Sequence, residues 1–254
     1  MKISGTGSAL PKKVVTNDML SQFLDTSDEW IKTRTGVSSR FVISDERLED
    51  LAAEAATKAL NDAGISAEEL DFIICSNVVN EYVTPQLSCI IQGAIGATCP
   101  CIDINCACAG FIHAIEIAEA FHNAGKADNV LIVCAEEPTR MTDWNDRRTC
   151  VLFGDGAGAA VLTPGDNIKS VKLSAASSTD KLWQYRTLQP TPYITKEEND
   201  IPLQMKGQEV FKFAVTAASK DITRALKASG MTADDVNHYL LHQANIRIIQ
   251  AIQH

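Results

Sequence analysis

Short apolar runs alternate along this chain with longer segments whose apolar residues recur every three or four positions. The alternation predicts an α/β layered fold. Residues 2–10 read as a first strand ending at Pro11. Thr16-Asn17-Asp18 reads as the start of a helix that carries Leu20, Phe23 and Leu24. Thr26 with Glu29 fits a capping box that opens a helix ending at Gly36. Residues 48–64 form an amphipathic helix closed by Gly64, Asp71 to Val79 an apolar strand, and Thr84 to Gly96 a second helix. Asn129 to Ala135 is a further buried strand. Gly154-Asp155-Gly156-Ala157-Gly158 has the glycines of a phosphate loop, but no Lys-Ser/Thr follows and Ala159 to Leu162 reads as strand. Its glycines are expected to let strands pack closely. Ser170 to Leu188 is polar, and an irregular stretch runs on to Pro202.

One stretch carries candidate chemistry. Ile102 to Cys106 reads as a strand, Ala107-Cys108-Ala109-Gly110 as a sharp turn, and Phe111 to about His122 as a helix with apolar residues on most sides. Cys108 thus falls near a helix start, where backbone N–H groups and the helix dipole favour a thiolate. Its small neighbours leave room for a substrate. Two readings follow: an activated nucleophile, or one more packed thiol.

Composition narrows the setting. The chain has 254 residues, 45% hydrophobic and 22% charged, which suits a large globular core or two fused halves. A net charge of −9 argues against general nucleic-acid binding. No run is long enough to span a membrane, and the N-terminus lacks a signal-peptide core, so a cytoplasmic location is expected. Eight cysteines without an export signal are expected as free thiols. Four of them lie between Cys99 and Cys108, but the C-x-C spacing is not that of common zinc sites, so no metal is expected. Trp30 and Arg34 are four residues apart on one helix face, able to stack a flat ring or simply to pack on each other.

The chain also repeats itself. Thr57 to Asp71 aligns without a gap to Thr223 to Asn237, a constant offset of 166 residues. Each copy predicts a helix, a Gly stop, a turn and a strand. The second strand, His238-Tyr239-Leu240-Leu241, ends at His242. Two such halves would pack their sheets back to back about a pseudo-twofold and bring His242 toward Cys108. The first half is placed at residues 1–165 and the second at residues 166–254. The repeat would put a partner for the Cys108 turn near position 274, so the second half is incomplete in this chain.

With those residues in place, the chain resembles the beta-ketoacyl-(acyl carrier protein) synthase III family of the thiolase-like superfamily. The resemblance rests on Thr26-Ser27-Asp28-Glu29-Trp30 through Gly36, Cys106-Ala107-Cys108-Ala109-Gly110-Phe111, Phe153 to Ala159, Glu209-Val210-Phe211-Lys212 and His242-Gln243-Ala244-Asn245-Ile246-Arg247. It implies an α/β/α/β/α fold and a decarboxylative condensation of an acyl-CoA with malonyl-acyl carrier protein. It further implies Cys108 as nucleophile and His242 as hydrogen-bond donor to the malonyl thioester. Trp30 and Arg147 would hold the CoA adenine, with Arg34 nearby, and Asn245 would stand behind the pantetheine. Lys212 and Arg247 would receive the acidic carrier. The family is homodimeric, uses CoA thioesters as substrate, and needs no metal or redox cofactor. Its His-Gly-Asn-Thr motif would lie beyond residue 254, so a chain ending there is expected to lack the second enolate-binding side chain. Cys106 replaces the commoner Ala of the nucleophile motif and is read as tolerated packing. Two other readings stand beside this one: a thiolase-like acyltransferase of secondary metabolism, and an inactive truncated homologue that dimerises or binds a carrier.

Overall fold

Five of the apolar runs pair into one mixed sheet in the order β1-β7-β6-β4-β5. The strands are β1 (Lys2–Ala9), β4 (Phe72–Ser76), β5 (Cys101–Ile104), β6 (Val130–Glu136) and β7 (Gly156–Thr163). β4 runs parallel to both β5 and β6, with Ile74 opposite Ile102 and Ile132. β7 lies antiparallel between β6 and β1. All five residues of β4 are buried, as expected for a strand covered on both faces. A separate pair, β2 (Lys13–Thr16) and β3 (Ser39–Val42), is antiparallel. The computed structural model describes residues 1–186, 192–193 and 201–253. The irregular run expected up to Pro202 lies partly outside these residues.

Two helical layers sandwich the sheet. On one face lie α3 (Leu48–Ala63) and α4 (Leu87–Ile95), whose buried residues join Ile73, Leu131, Val133 and Val161 in a single cluster. α3 presents Ala52, Ala55, Ala56 and Ala59, all fully buried. Gly5 and Gly7 of β1 meet this alanine stripe so closely that a methyl on either would overlap α3 backbone. On the other face lies α5 (Gly110–Asn123), which packs Ala114, Ile115 and Ala118 on Ile74, Ile132 and Leu162. Only that face of α5 is buried. Ile112 is exposed, contrary to the burial on most sides read from the sequence, because nothing among the described residues covers the far side. A third cluster joins α1 (Asn17–Leu20) and α2 (Asp28–Thr35) to Cys150 and Val151.

Several boundaries move. Ser27, not Thr26, caps α2: its hydroxyl accepts from Trp30 N–H at 3.1 Å. Helix α1 stops at Leu20, leaving Phe23 exposed. α4 begins only at Leu87, after the cis Thr84–Pro85 bond. Strand β7 contains Ala159 to Leu162, as read, but begins earlier, within the Gly-rich run, and Asp155 just before it is buried. Its carboxylate accepts from Ile43 N–H, Thr139 N–H and the Thr139 hydroxyl.

Beyond β7 the chain forms a short pair, β8 (Leu182–Trp183) with β9 (Gln204–Met205), then α6 (Gly207–Ser229) and α7 (Ile246–Ile252). Neither α6 nor α7 contains a buried residue. The strand expected over His238 to Leu241 is not formed. A strand exists by pairing, and no strand among the described residues is placed to pair with it.

Candidate active site

The carboxyl ends of the parallel strands β4, β5 and β6 lie side by side, the position where open α/β sheets bind ligands. Chain leaving β5 turns through Ala107-Cys108-Ala109 and runs straight into α5. Two local features hold that turn. Ala107 has φ of +46°, a left-handed conformation that costs a non-glycine residue about 1 kcal/mol or more and marks a functional turn when it persists. Gly110 sits against Ser76 at the end of β4, and a methyl there would overlap the serine hydroxyl. The absence of a side chain at 110 therefore sets how close the head of α5 comes to β4. The N-cap of α5 is Ala109, with no side-chain cap; its own N–H donates to Cys106 O at 3.1 Å and that of Gly110 to Ala107 O, which closes the turn.

The Cys108 thiol opens to solvent at the head of this turn. Protein atoms crowd the remainder of its surroundings, and that loss of hydration pushes its pKa up; its own backbone N–H pulls the other way, and the Glu136 charge adds to the rise. The helix start favours the ionised form, and the crowding of the thiol opposes it.

Glu136, which sequence reasoning passed over, ends β6 beside this turn. Burial raises its carboxyl to about 7, opposed by the backbone N–H groups of Val78 and Val79. Both of its oxygens lie 3.1 Å from the Val78 nitrogen. Asn77 bridges the same two strand ends, donating to Ala135 O at 2.7 Å. A signal was available: Glu136 ends an otherwise apolar strand, where a carboxyl is forced out of water.

His242 is exposed, and loss of hydration lowers its pKa, so its imidazole is neutral at pH 7. Among the described residues no hydrogen bond joins it to Cys108. The second-half residues nevertheless reach the first half. α7 packs its first residue, Ile246, over Gly36 at the end of α2, and Arg247 Nε donates to Thr33 O at 3.2 Å. Arg247 thus sits at the carboxyl end of α2, where a cation is favoured. Asn245 is the N-cap of α7, its side-chain oxygen accepting from Arg247 N–H at 2.9 Å. Lys212 is exposed on α6, with no ion-pair partner among the described residues.

Trp30, Arg34 and Arg147 do come together. The Arg34 guanidinium lies 4.4 Å and that of Arg147 4.9 Å from the Trp30 ring. Arg147 is also held by the backbone carbonyl and the carboxylate of Asp25. Nothing fits between Trp30 and Arg147 at this separation, so a ring sandwiched by the pair requires Arg147 to swing outward. Among the described residues no three His, Cys, Asp or Glu side chains converge as a metal site.

Comparison with known proteins adds the following. The pattern of the 3-oxoacyl-(acyl carrier protein) synthase III family matches residues 102–180, which include the Cys108 turn. The beta-ketoacyl-(acyl carrier protein) synthase III of Xanthomonas campestris is 41% identical over 98% of this chain and 78% of its own length. That of Clostridium perfringens is 40% identical over 99% of this chain and 79% of its own. The crystal structure of the Aquifex aeolicus 3-oxoacyl-(acyl carrier protein) synthase III superposes with a TM-score of 0.90 at 39% identity, covering 99% of this chain and 79% of that one.

Proposed function

We infer the chemistry of this chain from one premise: it belongs to the beta-ketoacyl-(acyl carrier protein) synthase III family. It has the thiolase-like fold of that family and is a condensing enzyme, an acyltransferase that starts fatty-acid synthesis. The observation that carries the assignment of roles is the Cys108 turn, held by a left-handed Ala107 and the missing side chain of Gly110 at the strand ends.

In this reading Cys108 Sγ attacks the thioester carbonyl of an acyl-CoA. The C–S bond to CoA breaks, CoA leaves as a thiol with the Cys108 proton, and the acyl group rests on Cys108. Backbone N–H groups of the Cys108 turn stabilise the oxygen that becomes negative during attack. Malonyl-acyl carrier protein then loses CO₂, and its carbanion attacks the acyl-Cys108 carbonyl. The new carbon–carbon bond forms as the C–S bond to Cys108 breaks, which gives 3-oxoacyl-carrier and returns the sulfur. His242, neutral at pH 7, donates a hydrogen bond to the malonyl thioester oxygen as enolate charge develops.

The same reading seats the CoA adenine against Trp30, with Arg147 and Arg34 around it, and places Asn245 behind the pantetheine. Exposed Lys212 and Arg247 form the basic rim for the carrier; on a chain of net charge −9 such a rim offsets repulsion between two acidic proteins. The chemistry runs on thioester reactivity and calls for no metal or redox cofactor. Edge strand β5, with one side unpaired in the sheet, supports a homodimer built through that edge. Eight free cysteines suit the reducing cytoplasm.

The test is a condensation assay with acetyl-CoA and malonyl-acyl carrier protein. The expected products are CO₂ and 3-oxobutyryl-carrier, with both lost in Cys108→Ala. Thioester exchange with no new carbon–carbon bond would instead assign the chain to acyl transfer.

A further inference from the structure

The two arginines on the Trp30 ring are held in different ways. Arg34 reaches the ring from one turn further along the same helix, so its 4.4 Å contact is built into α2. Arg147 comes from the loop between β6 and β7, and its 4.9 Å contact depends on what fixes that loop side chain. Asp25, just ahead of α2, does so. Arg147 Nη1 donates to the Asp25 carbonyl oxygen and lies 3.3 Å from its carboxylate Oδ2. The Asp25 side chain is fully exposed. Among the described residues its carboxylate makes no other hydrogen bond or ion pair.

That contact has a consequence for ligands. Trp30 packs on the cluster that joins α1 and α2 to Cys150 and Val151, so only part of its ring is open. A flat ring seated between Trp30 and Arg147 needs van der Waals contact on both of its faces, about 7 Å between indole and guanidinium. The observed separation is that of direct cation–π stacking. Arg147 therefore fills the place of the ring it would cover, and Asp25 holds it there.

We propose that Asp25 is a specificity-determining residue: its hold on Arg147 keeps the adenine place closed and weakens the binding of CoA thioesters, but not of thioesters borne on a carrier protein. The proposal rests on the reading of Trp30 and Arg147 as the adenine site. A CoA thioester brings an adenine and must part Arg147 from Trp30 before it seats. Its affinity is reduced by the fraction of molecules in which the pair is closed. A malonyl group on a carrier arrives on a pantetheine arm without an adenine, and the Trp30–Arg147–Asp25 contact stays closed as it enters. Asp25 thus acts on the first substrate of the reaction and not on the second.

Isothermal titration calorimetry of the full chain tests this with CoA and with malonyl-acyl carrier protein, in the parent, Asp25→Ala, Arg147→Ala and the double variant. Exposed ion pairs have small effects, so CoA should bind Asp25→Ala about threefold tighter than the parent. The gap should close in about 0.5 M salt. The carrier should bind both chains alike. In the Arg147→Ala background the Asp25 substitution should leave CoA affinity unchanged, because nothing remains for Asp25 to hold. That cycle separates the hold on Arg147 from plain repulsion between the Asp25 carboxylate and the CoA phosphates, which would persist without Arg147. Equal CoA affinity in parent and Asp25→Ala, an equal gain for the carrier, or a gain that survives in Arg147→Ala would overturn the proposal and leave the adenine site standing. Absence of CoA binding by the parent would overturn both.

Discussion

The two copies of the internal repeat share a turn and part ways after it. In the first copy α3 ends on Gly64, with φ of +70°, and Ile65 N–H closes the helix onto Leu60 O at 3.2 Å. In the second α6 ends on Gly230, with φ of +69°, and Met231 N–H closes onto Leu226 O at 3.0 Å. A single 3-10 turn follows in each. The Glu69 carboxylate takes Ser66 N–H at 2.7 Å, and the Asp235 carboxylate takes Thr232 N–H at 2.8 Å. Then the copies diverge. Residues 72–76 become β4, buried between β5 and β6, whereas residues 238–242 form no strand and Leu240 is 92% exposed. A helix stop and a capped turn are written within about ten residues. A central strand is written by its neighbours, and among the described residues only the first copy has them.

The sharpest probe of that contrast is the equivalent pair Ile74 and Leu240. Ile74 is fully buried in the sheet, so Ile74→Ala should cost about 3–4 kcal/mol in urea denaturation. Leu240→Ala should change the same measurement by no more than about 0.5 kcal/mol. Equal losses would mean that the second strand pairs after all.

The next effect concerns the packed strand ends around β4. The Glu136 carboxyl has a folded pKa raised to about 7, so its protonated form is favoured by the fold. The stability it contributes is full below the ordinary carboxylate range and is lost as pH rises through about 7. Glu136→Gln keeps an acceptor for Val78 N–H without the charge. It should therefore gain roughly 2–3 kcal/mol over the parent at pH 8 and nearly nothing at pH 4. Without that neighbouring charge Cys108 should also react faster with iodoacetamide at pH 8, by about twofold. A pH-independent difference would place Glu136 outside the packed strand ends.

A smaller and symmetrical effect is expected at the stops. Neither Gly64 nor Gly230 has an atom within 4 Å of an added methyl, so alanine at either meets only the backbone cost of positive φ. Gly64→Ala and Gly230→Ala should each weaken their own helix end by about 1 kcal/mol, read by amide exchange in the last turn. The least effect is a titration. Glu69 and Asp235 both lie below the usual carboxylate range because a backbone N–H holds the ionised form, so NMR should show a downward shift in both copies. A shift in one alone would show that the turns are not equivalent.

Much of this was legible in the chain itself. Strand β4, the Gly64 and Gly230 stops, strand β7 in a glycine-rich run and the α/β class all follow from local pattern. Trp30 and Arg34 meet as their four-residue spacing requires. What failed depended on distant atoms. The cap of α2 is Ser27 because the helix begins one residue later than the Thr26–Glu29 spacing suggested. The thiolate favoured at Cys108 was read from the helix end alone; the crowding and the Glu136 charge that oppose it come from residues far along the chain. Cys89 and Cys101 are twelve residues apart, and the packing of α4 (Leu87–Ile95) on β5 brings their sulfurs to 3.3 Å.

The central claim is that Cys108 is the residue that receives the acyl group. Incubation with radiolabelled acetyl-CoA, acid quench and peptic mapping tests it directly. The account predicts label on the peptide sequenced as acylated at Cys108, and its disappearance in Cys108→Ala. Label retained in Cys108→Ala, or carried by Cys89 or Cys106 in the unaltered chain, would contradict it.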